Sequence, residues 1–186
     1  MRSLVLLVAV TAVAHAEPPQ VVTQAWLRQQ ARTSFPILDN VDPDRGLVVI
    51  EHVTDVADPS VPETQTAKLV CGDALKKALP ALKKSLKAEH KRSDVIGCRN
   101  QKDGLAWCKF QFAFEWSISS TVVLRKNAAG VLVPDAVLVM DAGSMNDAAY
   151  KKMHQWVAQS WAKTRSTDCT GKAVEPPSVF PDDFLR

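Results

Sequence analysis

Tyrosine occurs once in the 186 residues and glycine only seven times, and no apolar run after position 16 approaches the length of a membrane span. A bilayer-crossing helix needs about 20 predominantly apolar residues, so the chain from residue 17 onward carries no candidate for one. No C-x-x-C pair occurs, which removes the spacing that lowers a thiol pKa for redox exchange. No G-x-S-x-G elbow, H-E-x-x-H pair or P-loop is present either, so serine hydrolysis, zinc-dependent hydrolysis and nucleotide chemistry lack their local signatures. None of the four asparagines opens an N-x-S/T acceptor, which fits a bacterial exported protein as well as any other. The balance of charge is also slight. A net charge of +3, falling to +2 if Arg2 is removed, is too near neutral for the whole surface to bind polyanions.

What is present begins with a targeting pattern. Arg2 is followed by the almost continuously apolar stretch Leu4 to Val13, and Ala14-His15-Ala16 has the small-x-small form cut by signal peptidase. Residues 1–16 therefore read as a signal peptide cleaved after Ala16, which predicts a secreted or periplasmic product. No cysteine follows the apolar run before Cys71, which excludes lipidation at the cleavage site. Residues 17–170 are of single-domain size, the full sequence has ordinary apolar (46%) and charged (23%) content, and residues 171–186 form a proline-rich tail.

Thr23 is an N-cap for a helix with Trp26, Leu27, Ala31 and Phe35 on one face, ended by Pro36. A polar turn, Asp39 to Arg45, leads to the apolar strand Leu47 to Ile50. Ser60 and Glu63 have capping-box spacing, and a helix is expected from there through Lys87, with Ala67, Val70, Leu75, Leu82 and Leu86 on one arc and lysines opposite. Pro80 falls on the lysine side, where it bends the helix without ending it. Residues 93–119 read as a hairpin turning at Lys102-Asp103-Gly104. Its second strand, Cys108 to Ile118, sets apolar residues on every second position, with polar residues filling most of the alternate ones. A strand from Thr121 to Arg125, a turn at Asn127 to Gly130 and a strand from Val131 to Asp141 follow, with Pro134 marking an edge or a bulge. Ser144 caps a last helix presenting Met153, Trp156, Val157 and Trp161.

The fold class expected is α+β: a single antiparallel sheet of four to five strands, packed on one face by the long amphipathic helix and the C-terminal helix. Its element order is similar to that of the cone-shaped NTF2-like and cystatin-like folds; no motif accompanies the similarity and no family is assigned.

Four cysteines in an exported chain imply two disulfides, with three pairings open. A three-residue hairpin loop sets Cys98 opposite Cys108, and Cys71 is left for Cys169. The intervals of 27, 10 and 61 residues, without histidines nearby, do not suit zinc.

Three sets of residues could carry function. Phe110, Phe112, Phe114 and Trp116, on one side of the alternating strand, either seal a core or line a pocket for an apolar ligand. Lys83, Lys84, Lys87, Lys91 and Arg92, with His90 among them, form a patch for an anionic partner. His52, His154, Glu115 and Asp141 are the titratable groups available to a small pocket-based hydrolase or isomerase. Asn40, Asp42 and Asp44 also start like a calcium loop, but Arg45 stands where that loop needs glycine. The leading expectation is an exported non-enzymatic module that binds a small apolar ligand or a partner protein in the cell envelope or outside the cell, with no metal, no cofactor and no nucleic acid. A small hydrolase or isomerase, and a calcium or anionic-surface binder, are the alternatives.

Overall fold

The computed structural model describes residues 22–53, 64–92, 95–100, 105–111, 118–141 and 147–175. The chain is α+β, with three α-helices and a six-stranded mixed sheet among these residues. Helix α1, Gln24–Arg32, starts where expected: Thr23 Oγ1 accepts the Trp26 amide at 3.2 Å. It ends on two residues in the left-handed region, Ser34 (φ 65°) and Phe35 (φ 53°). That conformation costs roughly 1–2 kcal/mol for each non-glycine residue. Complete burial of Phe35 and the bond from its amide to the Gln30 carbonyl, at 2.7 Å, offset it. A 3-10 turn, Pro36–Asn40, follows.

Strand β1, Leu47–Val53, pairs antiparallel with β2, Thr64–Val70, through seven residue pairs from Leu47↔Val70 to Val53↔Thr64. This corrects the expectation of a helix beginning near Ser60. The proposed capping box lies outside the described residues, but Thr64 to Val70 is strand. The β-branched Thr64, Thr66 and Val70 suit it, and pairing against β1 outweighs whatever helical period the segment shows. Helix α2, Gly72–Arg92, is correspondingly shorter and runs through the exposed Pro80 as expected.

The hairpin of β3, Val95–Asn100, and β4, Leu105–Gln111, has the expected register, with Cys98 opposite Cys108. The long alternating strand is a second correction. β4 ends at Gln111, and its antiparallel neighbour β5, Ile118–Lys126, starts at Ile118, with Gln111 paired to Ser119. One strand from Leu105 to Ile118 would span roughly 46 Å at about 3.3 Å per residue, far beyond the other strands of this sheet. Phe112, Phe114 and Trp116 lie outside the described residues.

β5 turns at Asn127 to Gly130 into β6, Leu132–Asp141. The turn is held by Asn127, whose carboxamide oxygen accepts from the Ala129 and Val131 amides. The register shifts between Val123↔Ala136 and Leu124↔Pro134, which leaves Asp135 as the extra residue of a bulge. β6 then pairs in parallel with β1, so the sheet order is β2-β1-β6-β5-β4-β3 and Pro134 sits on an inner strand at a bulge. Helix α3, Asp147–Thr164, completes the fold; its proposed Ser144 cap lies outside the described residues.

The helices do not share a face. Leu27 and Ala31 of α1, with Leu75, Leu82 and Leu86 of α2, pack on Leu47, Val49, Val122, Leu124 and Val137. Met153, Val157 and Trp161 of α3 pack on the opposite face against Val48, Ile50, Trp107, Val123, Ala136 and Leu138. The expectation of helices on one face alone is therefore corrected. The physical reason is visible in β1: Leu47, Val48, Val49 and Ile50 are all apolar and all buried, which only a strand covered on both sides requires.

Disulfides Cys98–Cys108 and Cys71–Cys169 are both present, and the described cysteines include none that is free. No helix among the described residues is long and apolar enough to cross a membrane.

Candidate functional site

The outer surface of α1 and α2 is cationic. Arg28 and Arg32 of α1 and Lys76, Lys77 and Lys84 of α2 are exposed, and α1 contains no acidic residue at all. Asp73 is the one exposed acid on these two helices among the described side chains, and it pairs with Lys76 at 3.2 Å. The lysines predicted from sequence divide into two kinds. Lys83 is bonded to Asp39 at 2.5 Å and Lys87 donates to Ser34 Oγ at 2.9 Å, so both tie α2 to the segment that follows α1. Lys84 stands clear in solvent, and Lys91 and Arg92 end the same helix, their side chains outside the description. Arg28 and Arg32 belong to the layer too. They are far from the lysine run in sequence and enter only because α1 and α2 cover the same face of the sheet.

A second cationic cluster was not foreseen. Asp135, thrown out of the ladder by the bulge, has a side chain 1% exposed and receives three guanidinium groups. Arg45 Nε donates to its Oδ1 at 2.6 Å, Arg125 Nε stands 3.6 Å from the same oxygen, and Arg165 Nε stands 3.5 Å from Oδ2. Arg165 is entirely buried. It follows the last turn of α3 and donates to three carbonyls, of Arg45 at 2.7 Å, Gly46 at 3.3 Å and Asp135 at 2.6 Å. Burial lowers its pKa to about 10, against the upward pull of Asp135. Arg125 is lowered as well, first by burial and then by repulsion from Arg45, with Asp135 and Asp42 opposing.

The turn preceding β1 delivers Arg45 to this point. Asp42 Oδ1 accepts the Asp44 and Arg45 amides at 3.1 and 3.3 Å, and Gly46 follows with φ +70°. A Cβ on Gly46 would stand 2.3 Å from Cys169 Sγ and 2.8 Å from the Val70 carbonyl oxygen. The Cys71–Cys169 bridge thus lies directly on the glycine, and the Cys169 amide donates to the Asp44 carbonyl at 2.8 Å. Arg165 and the bridge together bind the end of α3 to the start of β1. The candidate calcium loop is consequently an Asx turn with one carboxylate oxygen already used, and no group of three His, Cys, Asp or Glu side chains among the described residues could hold a metal.

His52 and His154 are both buried. His52 stands opposite Gln65 in the β1–β2 register, its Nε2 3.1 Å from the Gln65 amide nitrogen. Read as that amide donating, the contact puts the imidazole proton on Nδ1. The ring meets Trp156 edge-on at 5.5 Å. These contacts pack His52 into the layer between α3 and the sheet, and neither imidazole stands exposed for a substrate in solution. Asp141 ends β6, with its side chain outside the description, and Glu115 lies outside the described residues. Of the aromatic set, Phe110 lies in β4 opposite Ser120, its side chain likewise outside the description. On the α3 face of the sheet, Trp107 is fully buried against Trp161, ring centroids 4.7 Å apart.

No protein-family model and no curated protein matches this chain.

Proposed function

We propose that the protein is an exported, non-enzymatic binding module, freed of residues 1–16 by cleavage after Ala16, that acts in the periplasm or outside the cell and docks an anionic partner on the outer face of α1 and α2. The observation that carries this reading is the charge of that face: Arg28, Arg32, Lys76, Lys77 and Lys84 exposed, with Asp73 alone against them among the described side chains. A helix the length of α2 runs about 30 Å, and unneutralised cations along it raise the local concentration of an anion and steer its approach. Two disulfides support the extracytoplasmic setting, where such bonds persist. On the α3 face, the close packing of Trp107 on Trp161 argues against an apolar ligand held between that helix and the sheet. An acidic membrane surface, a sulfated or carboxylated polysaccharide and an acidic protein all offer the required charge.

The test is co-sedimentation with vesicles containing anionic lipid, and retention on immobilised acidic polysaccharide and acidic protein, compared at low and high salt. Binding to at least one of them, falling about tenfold or more as screening rises, is expected. The triple variant R28E/K77E/K84E should lose it while keeping the wild-type melting temperature. Wild-type protein indifferent to every anionic partner would refute the reading.

A further inference from the structure

We propose a binding site for a small oxyanion, a carboxylate or phosphate group, on the solvent edge shared by Arg45 and Arg125. It is separate from the α1–α2 layer: its two guanidiniums come from the turn before β1 and from the end of β5. Three arginines meet around Asp135, but they are not equally consumed. Arg165 spends its terminal nitrogens on three carbonyls. Asp168, the further acid acting on Arg165, therefore bears on a group whose bonds are already made. Arg45 uses only Nε, on Asp135; its two terminal nitrogens have no partner among the described residues, and its side chain is 19% exposed. Arg125, 22% exposed, gives Nη1 to the Lys126 carbonyl at 2.9 Å and leaves Nη2 3.9 Å from Asp42 Oδ2, beyond hydrogen-bonding distance.

Both arginines approach the same oxygen of Asp135, so their forks are held side by side. Asp135 is shared among three guanidiniums, with Asp168 adding its charge only to Arg165, and Asp42, 35% exposed, already gives one oxygen to its own turn. The remaining positive charge is concentrated on the outward Nη atoms, in a half-buried setting where the repulsion between Arg45 and Arg125 is itself felt. An anion with two oxygens can accept from one fork and then the other, relieving that repulsion and supplying the missing acceptors. A spherical halide can relieve the charge but cannot satisfy both forks.

The experiment uses the full mature chain, with proton–nitrogen correlation spectra of the arginine Nε–H groups during titration with inorganic phosphate, with acetate, and with chloride at matched ionic strength. Saturable movement of the Arg45 and Arg125 signals by phosphate or acetate, and not by chloride, is the expected result. The phosphate and acetate arms decide which oxyanion is preferred. R125Q leaves Asp135 with Arg45 and Arg165 and should weaken the response about tenfold or more. Should R125Q fold poorly, R125K keeps the charge but loses the fork, and the same weakening is expected. The triple variant of the helical layer should bind phosphate or acetate as the wild type does, which separates this site from the proposed docking surface. Equal, non-saturating shifts with all three salts, or an unaltered response in both Arg125 variants, would overturn the proposal.

Discussion

Arg165 and Lys84 are both cations on this chain, and they stand in opposite circumstances. Arg165 is fully buried, with three carbonyls and a carboxylate around it; Lys84 projects from α2 into water. A buried guanidinium has given up its hydration and must be held by fixed acceptors, so removing any acceptor is costly. An exposed ammonium has given up nothing and contributes little to folding. The corner where Arg165, Asp135, Gly46 and the Cys71–Cys169 bridge meet is therefore the place to look for stability. The helical layer is the place to look for association.

The comparison would be broken most directly at the bridge. Replacing Cys71 and Cys169 together with serine opens a loop of 98 residues, and a loss of about 4.5 kcal/mol is expected by urea unfolding. D135N keeps the shape of the side chain but leaves three guanidiniums without their carboxylate; it should cost about 3 kcal/mol, a fall of roughly 6–12 °C in melting temperature for a domain of this size. G46A forces a Cβ onto Cys169 Sγ and the Val70 carbonyl at a positive φ, and about 2–3 kcal/mol should be lost. On the helical layer, K84E should move stability by less than about 0.5 kcal/mol in the same assay. A value above that, or a D135N variant as stable as the wild type, would collapse the distinction.

The smallest effect lies at the exposed rim of the corner. The Asp168 carboxyl is held below its ordinary 3.8, first by the Thr170 hydroxyl and then by the amides of Lys172 and Thr170, with burial opposing. A depressed carboxylate contributes its stability fully above the unfolded value and loses it as pH falls from there through the folded one. D168N should therefore narrow the gap to wild type below about pH 4 in acid-unfolding curves, with the two converging at lower pH.

The same contrast explains what could be read from the sequence. Short-range chemistry was legible. Thr23 as a cap, Cys98 facing Cys108 across a hairpin, the turn at Asn127 and the irregularity at Pro134 all depend on residues no more than 10 positions apart. The lysine side of α2 was legible for the same reason, with Lys76, Lys77 and Lys84 exposed on it. The buried corner was not, since Arg45 and Arg165 reach Asp135 and its neighbours across 90 and 30 residues and no spacing rule connects lone charges at such distances. A cue existed all the same: Asp135 is a charge directly after a proline, in a strand otherwise apolar until Asp141 at its end. The two-sided burial of the sheet also left a trace in Leu47-Val48-Val49-Ile50, a run without alternation. At Thr64 to Val70 the sequence offered a helical arc, and only the partner strand β1, supplied from elsewhere in the chain, decides otherwise.

The nesting of the two bridges has a consequence for biogenesis. Cys98 and Cys108 are enclosed by Cys71 and Cys169, so if the chain is exported as proposed, N-terminus first, Cys71 emerges first and its proper partner last. An oxidant that joined thiols strictly in order of appearance would link Cys71 to Cys98 and strand the other two. The native pattern is reached if the β3–β4 hairpin closes its own short bridge before Cys71 reacts, leaving that thiol to wait for the end of α3, or if an isomerase reshuffles the early product. For the exported protein proposed above, the second route depends on the host's disulfide-isomerising capacity, and not merely on its oxidising power.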